Sequence, residues 1–111
     1  ADYTNVYDVV DATIEVASKI KGFDIFNLAT GEVTTVQRIA ELVAEVLNKN
    51  HIKPEPKEML PHESLLHSSD ASKLRTVLGI KLSTPVDVSV KQYVEWRLKC
   101  GARPQAIYRD G

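Results

Sequence analysis

The sequence predicts a helix-dominated α+β unit with four helices and two short strands. Three observations support this. Four segments carry apolar residues at helical three-and-four spacing, and an apolar segment between two glycines follows the first of them. Hydrophobic residues make up 43% of the 111 residues, which is enough for one core. Residues 1–101 form the predicted domain, and residues 102–111 are predicted to be a flexible tail.

The first helix is predicted from Val6 to Lys21. Asn5 is its expected N-cap, Asp8 meets the positive end of the helix dipole, and Gly22 ends it. The predicted buried face consists of Val6, Val9, Val10, Thr13, Ala17 and Ile20. The apolar residues from Phe23 to Leu28 then predict the first short strand.

The second helix is expected to begin near Thr34 or Thr35, because Thr34 and Gln37 have the spacing of a capping box. Its apolar face consists of Val36, Ile39, Ala40, Val43, Val46 and Leu47. Two prolines lie between Ile52 and Leu60, and they remove amide donors and disfavour helix in the preceding residues. We therefore expect an extended segment there, and any strand in it lies at a sheet edge.

Two further helices complete the prediction. A short third helix starts at Asp70 as its cap and stops at Gly79. The fourth begins at Thr84, because threonine caps a helix and Pro85 needs no amide partner in the first position. It is predicted to reach about Lys99.

The charge and the cysteine count limit the possible partners and compartment. Formal charge is only -1, so no basic surplus favours nucleic acid or an anionic membrane, and no apolar run approaches the roughly 18 residues of a membrane span. We expect neither partner. Cys100 is a single cysteine and cannot form an internal disulfide, which favours a reducing, cytoplasmic location.

Motifs for catalysis are missing from the sequence. The five glycines form neither a GxGxxG nor a phosphate-loop pattern, and neither GxSxG nor HExxH occurs. We therefore predict no catalytic, cofactor-binding or metal-binding residue in this chain. A metal cluster of His62, Glu63, His67 and Asp70 is an alternative, but the spacing of the two histidines matches no usual ligand pattern. The simpler interpretation is a polar surface loop.

Four blocks of the chain resemble the extended short-chain dehydrogenase/reductase family, the nucleotide-sugar epimerases and dehydratases typified by UDP-glucose 4-epimerase. Residues 2–12, DYTNVYDVVDA, resemble the family's RDYxHVxDxxxA stretch. Residues 26–31, FNLATG, resemble its YNLGxG strand end. Residues 69–79 are similar to its ADxSKxxxxLG helix, and residues 85–96 to its last helix.

This resemblance implies the C-terminal substrate-binding portion of an α/β Rossmann-type enzyme. In the family, NAD or NADP and a Tyr-x-x-x-Lys pair belong to the N-terminal Rossmann portion. No tyrosine here has a lysine four residues later. The implied partners are a nucleotide-sugar, bound weakly, and the missing Rossmann portion, with self-association through faces that this portion would cover. The alternative is a stand-alone interaction or structural module that kept the fold and lost the ligand.

The resemblance also implies substrate-binding residues. By their positions in the family blocks these are Tyr3, Asn5, His62 and Glu63. Family members commonly grip the diphosphate with two arginines, whose places here hold Ala1 and Leu60. Interpretations without a ligand stay open: Tyr3 packs against its helix, and His62 and Glu63 are solvated loop residues.

Overall fold

A computed structural model describes residues 1–63 and 66–101, and within them it contains four helices and no strand. The helices are α1 (Val6–Lys19), α2 (Val36–Val46), α3 (Ser72–Leu78) and α4 (Val86–Cys100). The prediction of four helices is confirmed, and the prediction of two strands is wrong for the described residues. The predicted flexible tail, residues 102–111, lies outside them.

Helix α1 begins as predicted and ends early. The Asn5 side chain is the N-cap, and its Oδ1 accepts a hydrogen bond of 2.8 Å from the amide of Tyr7. The helix ends at Lys19, because Ile20 already has extended backbone angles. Gly22 has a φ of +80° and turns the chain, but it does so outside the helix and not as its cap.

The buried face of α1 is not the predicted one. Ala12 is 3% exposed and lies between the half-buried Val9 and Val16. Four residues of the predicted face are exposed: Val6, Val10, Thr13 and Ala17. Because α1 carries apolar residues on two faces, periodicity alone cannot tell which one meets the core.

Two small hydrophobic clusters make up the core. In the first, Ala12 of α1 meets Leu74 of α3 and the segment after α3, which contributes Ile80 and Leu82. In the second, α2 packs on α4. Its buried members are Leu42, Val90 and Val94.

The segment 23–28 has the side-chain alternation of a strand without being one. Phe26 and Leu28 are half-buried against the first cluster, whereas Ile25 is exposed and Phe23 is 89% exposed. A strand needs a backbone ladder with a neighbour, and no described segment supplies one. The prediction of a strand is therefore wrong for lack of a partner, although the alternation it rested on is present.

Lys73 of α3 links the segment 23–28 to the first cluster through three contacts. Its Nζ lies 2.5 Å from the Asp24 carboxylate and donates to the carbonyl of Ile25 over 2.7 Å. The same ammonium sits 4.6 Å from the centre of the Phe26 ring, a cation–π distance. The lysine of the family-like Ser-Lys block therefore has a structural role here.

The second predicted strand is also absent. Residues 52–60 are all exposed and form neither helix nor strand. The two prolines in this stretch lack the amides that a ladder needs, and no described neighbour offers one.

Helix α2 has a different cap from the predicted capping box. Thr35 is the N-cap, and its Oγ1 accepts from the amide of Arg38 at 3.1 Å. Thr34 instead exchanges two backbone hydrogen bonds with Ala1, of 2.8 and 3.0 Å. The predicted start near Thr34 or Thr35 is confirmed, whereas the capping box of Thr34 and Gln37 is wrong by one residue, since Thr34 lies before the cap and pairs with Ala1 through its backbone.

The starts of α3 and α4 also shift. Helix α3 begins at Ser72, whose amide donates to Oδ1 of Asp70 over 2.9 Å, so Asp70 binds the first amide without being the N-cap itself. Pro85 is the N-cap of α4. Thr84 donates through its amide (3.0 Å) and hydroxyl (2.7 Å) to the Asp8 carboxylate. The predicted Thr84 cap is wrong because this threonine anchors α1.

Candidate functional site

A large groove lies at the N-terminal end of α1. Its walls are residues 3–7, Ile39 and Val43 of α2, and one face of α4 between Val86 and Trp96. We call it the α2/α4 groove. Its volume is about 650 Å³, within the range of small-molecule sites.

The α2/α4 groove is apolar and aromatic. Its rim holds four of the chain's seven aromatic residues, and these four are Tyr3, Tyr7, Tyr93 and Trp96. The rings of Tyr93 and Trp96 lie 5.9 Å apart at 39°. No residue that lines the groove is charged, although 26% of the chain is. The groove suits an apolar or ring-shaped partner and offers no cation to a phosphate.

Asn5 lies at the floor of the groove and is 5% exposed. Its Nδ2 donates to Oγ of Ser89 (2.9 Å) and to Oε1 of Gln92 (2.7 Å), while its Oδ1 caps α1. Both amide hydrogens and one acceptor site are therefore engaged within the protein. Asn5 positions the groove by joining the start of α1 to α4.

Tyr3 and Asn5 are brought together, and the other two predicted residues are not with them. Tyr3 lies at the rim of the groove and is 36% exposed. His62 and Glu63 are exposed in the loop before α3 and do not line the groove. Glu63 closes a local turn, because its Oε2 accepts from the Leu60 amide at 2.7 Å and its own amide donates to the Leu60 carbonyl at 3.0 Å.

Asp2 organises the loops beside Tyr3, a role the sequence did not predict. Its carboxylate accepts from the Thr30 hydroxyl (2.7 Å), the Gly31 amide (2.8 Å) and the Thr4 hydroxyl (3.3 Å). Its amide donates to the carbonyl of His67 at 3.1 Å. The sequence does contain the groups that make this contact: Asp2 supplies a carboxylate acceptor, and Thr30 and Gly31 supply a hydroxyl and an amide donor.

The hydrogen bonds at Asp2 change its acidity. Partial burial raises the pKa of the Asp2 carboxyl, but donors from Thr30, Gly31 and Thr4 together outweigh burial, so the pKa lies below its usual 3.8. Asp2 is therefore more strongly held in its ionised form than an exposed aspartate.

A second, smaller cavity lies beyond this junction. It has a volume of about 90 Å³ and is bordered by Thr30, Gly31, Asp70, Arg75 and Lys81, among others. A water molecule takes about 30 Å³ of liquid volume, so this space admits a few waters or one small group and no nucleotide. Among the described residues no group of three or more His, Cys, Asp or Glu is placed to hold a metal.

The fold is similar to that of a UDP-glucose 4-epimerase from Bifidobacterium longum, solved in complex with NAD+ and UDP. The TM-score is 0.68 at 24% identity, over 88% of this chain. The chain spans 30% of the length of that protein. No protein-family model and no curated protein matches the sequence. The structural comparison shows that the chain has an epimerase-like fold.

Within residues 1–63 and 66–101, no helix has the length and apolar character of a membrane span.

Removing the Asn5 side chain should destabilise the protein. We expect Asn5→Ala to lower the free energy of unfolding by about 2–3 kcal/mol, because a cap and two buried hydrogen bonds are lost. Asn5→Ser keeps the cap oxygen and should cost about half as much. Urea denaturation measures both. Asn27→Ala is the matched control: its amide makes a single exposed bond of 3.3 Å, and an equal loss there would contradict the role of Asn5.

The stabilising effect of Asp2 should depend on pH. Because the folded pKa lies below 3.8, the contribution is complete above that value and is lost as the pH falls through 3.8 and then through the lower folded pKa. The difference in unfolding free energy between the wild type and Asp2→Asn should therefore be largest near neutral pH and shrink in acid. Denaturant titrations from neutral to acidic pH test this, and a constant difference would refute it.

Proposed function

We propose that this chain is the nucleotide-sugar recognition portion of an NAD(P)-dependent sugar epimerase or dehydratase, and that it is inactive alone. The observation that supports the proposal is the epimerase-like fold, shared over 88% of this chain with a protein solved in complex with NAD+ and UDP. The order of the four family-like blocks in the sequence supports the same proposal.

The proposed division of labour follows from which residues the chain has. Transient oxidation of the sugar is chemistry that NAD or NADP supplies, held by the Rossmann portion of the parent enzyme. This chain has neither the glycine-rich turn nor the Tyr-x-x-x-Lys pair. Its proposed share is to bind and orient the substrate in the cytoplasm.

The proposed substrate contacts come from two surfaces. Tyr3 offers a ring and a hydroxyl at the groove rim, and Asn5 holds that rim in place. His62 and Glu63 offer polar groups from the exposed loop. None of these four residues is a lysine or an arginine, so none carries a permanent positive charge.

Missing cations should make substrate binding weak. The two positions that commonly hold arginine in the family hold Ala1 and Leu60 here. Each charge-assisted contact is worth about 1.5–3 kcal/mol, so the pair accounts for roughly two to four decades of affinity.

The proposal also explains an exposed apolar face. Val10 and Ile14 of α1, together with Phe23 and Ile25, are exposed. A cofactor-binding portion packed on α1 and on the segment 23–28 would cover these side chains, and it would supply the ladder that the segment lacks.

A stand-alone interaction module is the competing function. The uncharged lining of the α2/α4 groove favours it, because a binding site for a diphosphate normally contains a cation. The two functions predict different effects on nucleotide-sugar affinity when arginine is restored at positions 1 and 60.

Restoring both arginines should strengthen nucleotide-sugar binding. We expect the wild type to bind UDP-glucose with a Kd of about 1 mM or weaker, and Ala1→Arg/Leu60→Arg to gain at least about tenfold, with NMR shifts centred on residues 1–6 and 59–67. The control is Ala17→Arg/Leu98→Arg, which adds the same charge at exposed sites on α1 and α4. An equal gain in the control, or none in the test variant, would favour the stand-alone module.

NAD itself should not bind the isolated chain. The residues that cradle the pyrophosphate in dinucleotide-binding proteins are absent from the sequence. Isothermal titration calorimetry with NAD should show no saturable heat. A complex in the micromolar range would contradict the proposed division of labour.

A further inference from the structure

We draw no further inference here: the strongest candidate, the uncharged α2/α4 groove with the exposed apolar side chains of α1 beside it, is an unpartnered apolar surface, and nothing in the structure shows what covers it.

Discussion

The side chain of Asn5 is the interaction on which the rest of the structure depends. It caps α1, which belongs to the first cluster, and it donates to Ser89 and Gln92 of α4, which belongs to the second. Burial of an amide is tolerated only because its polar groups are paired. The same side chain forms the floor of the groove, so fold and candidate site share one residue.

The first eight residues set the arrangement of the loops around Asn5 through side-chain and backbone hydrogen bonds. Asp2 binds residues 30–31 through its carboxylate and residue 67 through its amide. The Asp8 carboxylate binds Thr84, just before α4. Segments that are distant in the sequence thus meet at one short stretch. This explains why the family-like blocks, which are far apart along the chain, form one unit.

The helices could be predicted from the sequence because their periodicity and their caps are local properties. Asn5 is the clearest case, since its capping role needs only the residues that follow it. The inward face of α1 could not be predicted, because both faces are apolar and the choice is made by tertiary packing, in which Ala12 meets Leu74, more than 60 residues later in the sequence. The strand at 23–28 failed for a similar reason: its alternation is local, but its ladder requires a neighbour. At the candidate site, Tyr3 and Asn5 share a groove through tertiary packing that no spacing rule reveals, and His62 and Glu63 lie in a loop outside that groove.

The division of the core into two small clusters has a consequence for how the protein opens. Helices α2 and α4 share one cluster, whereas α1 and α3 belong to the other. Polar contacts of Asn5 and Asp8 connect α1 to α4 and to the residue before it. Small cooperative units joined mainly by hydrogen bonds can open separately, each with a lower free energy than global unfolding. Amide protons of α2 and α4 would then exchange with solvent as one group and those of α1 and α3 as another. The groove, walled by parts of both units, would widen or narrow with this breathing, so any molecule that spans its walls would couple two otherwise independent equilibria.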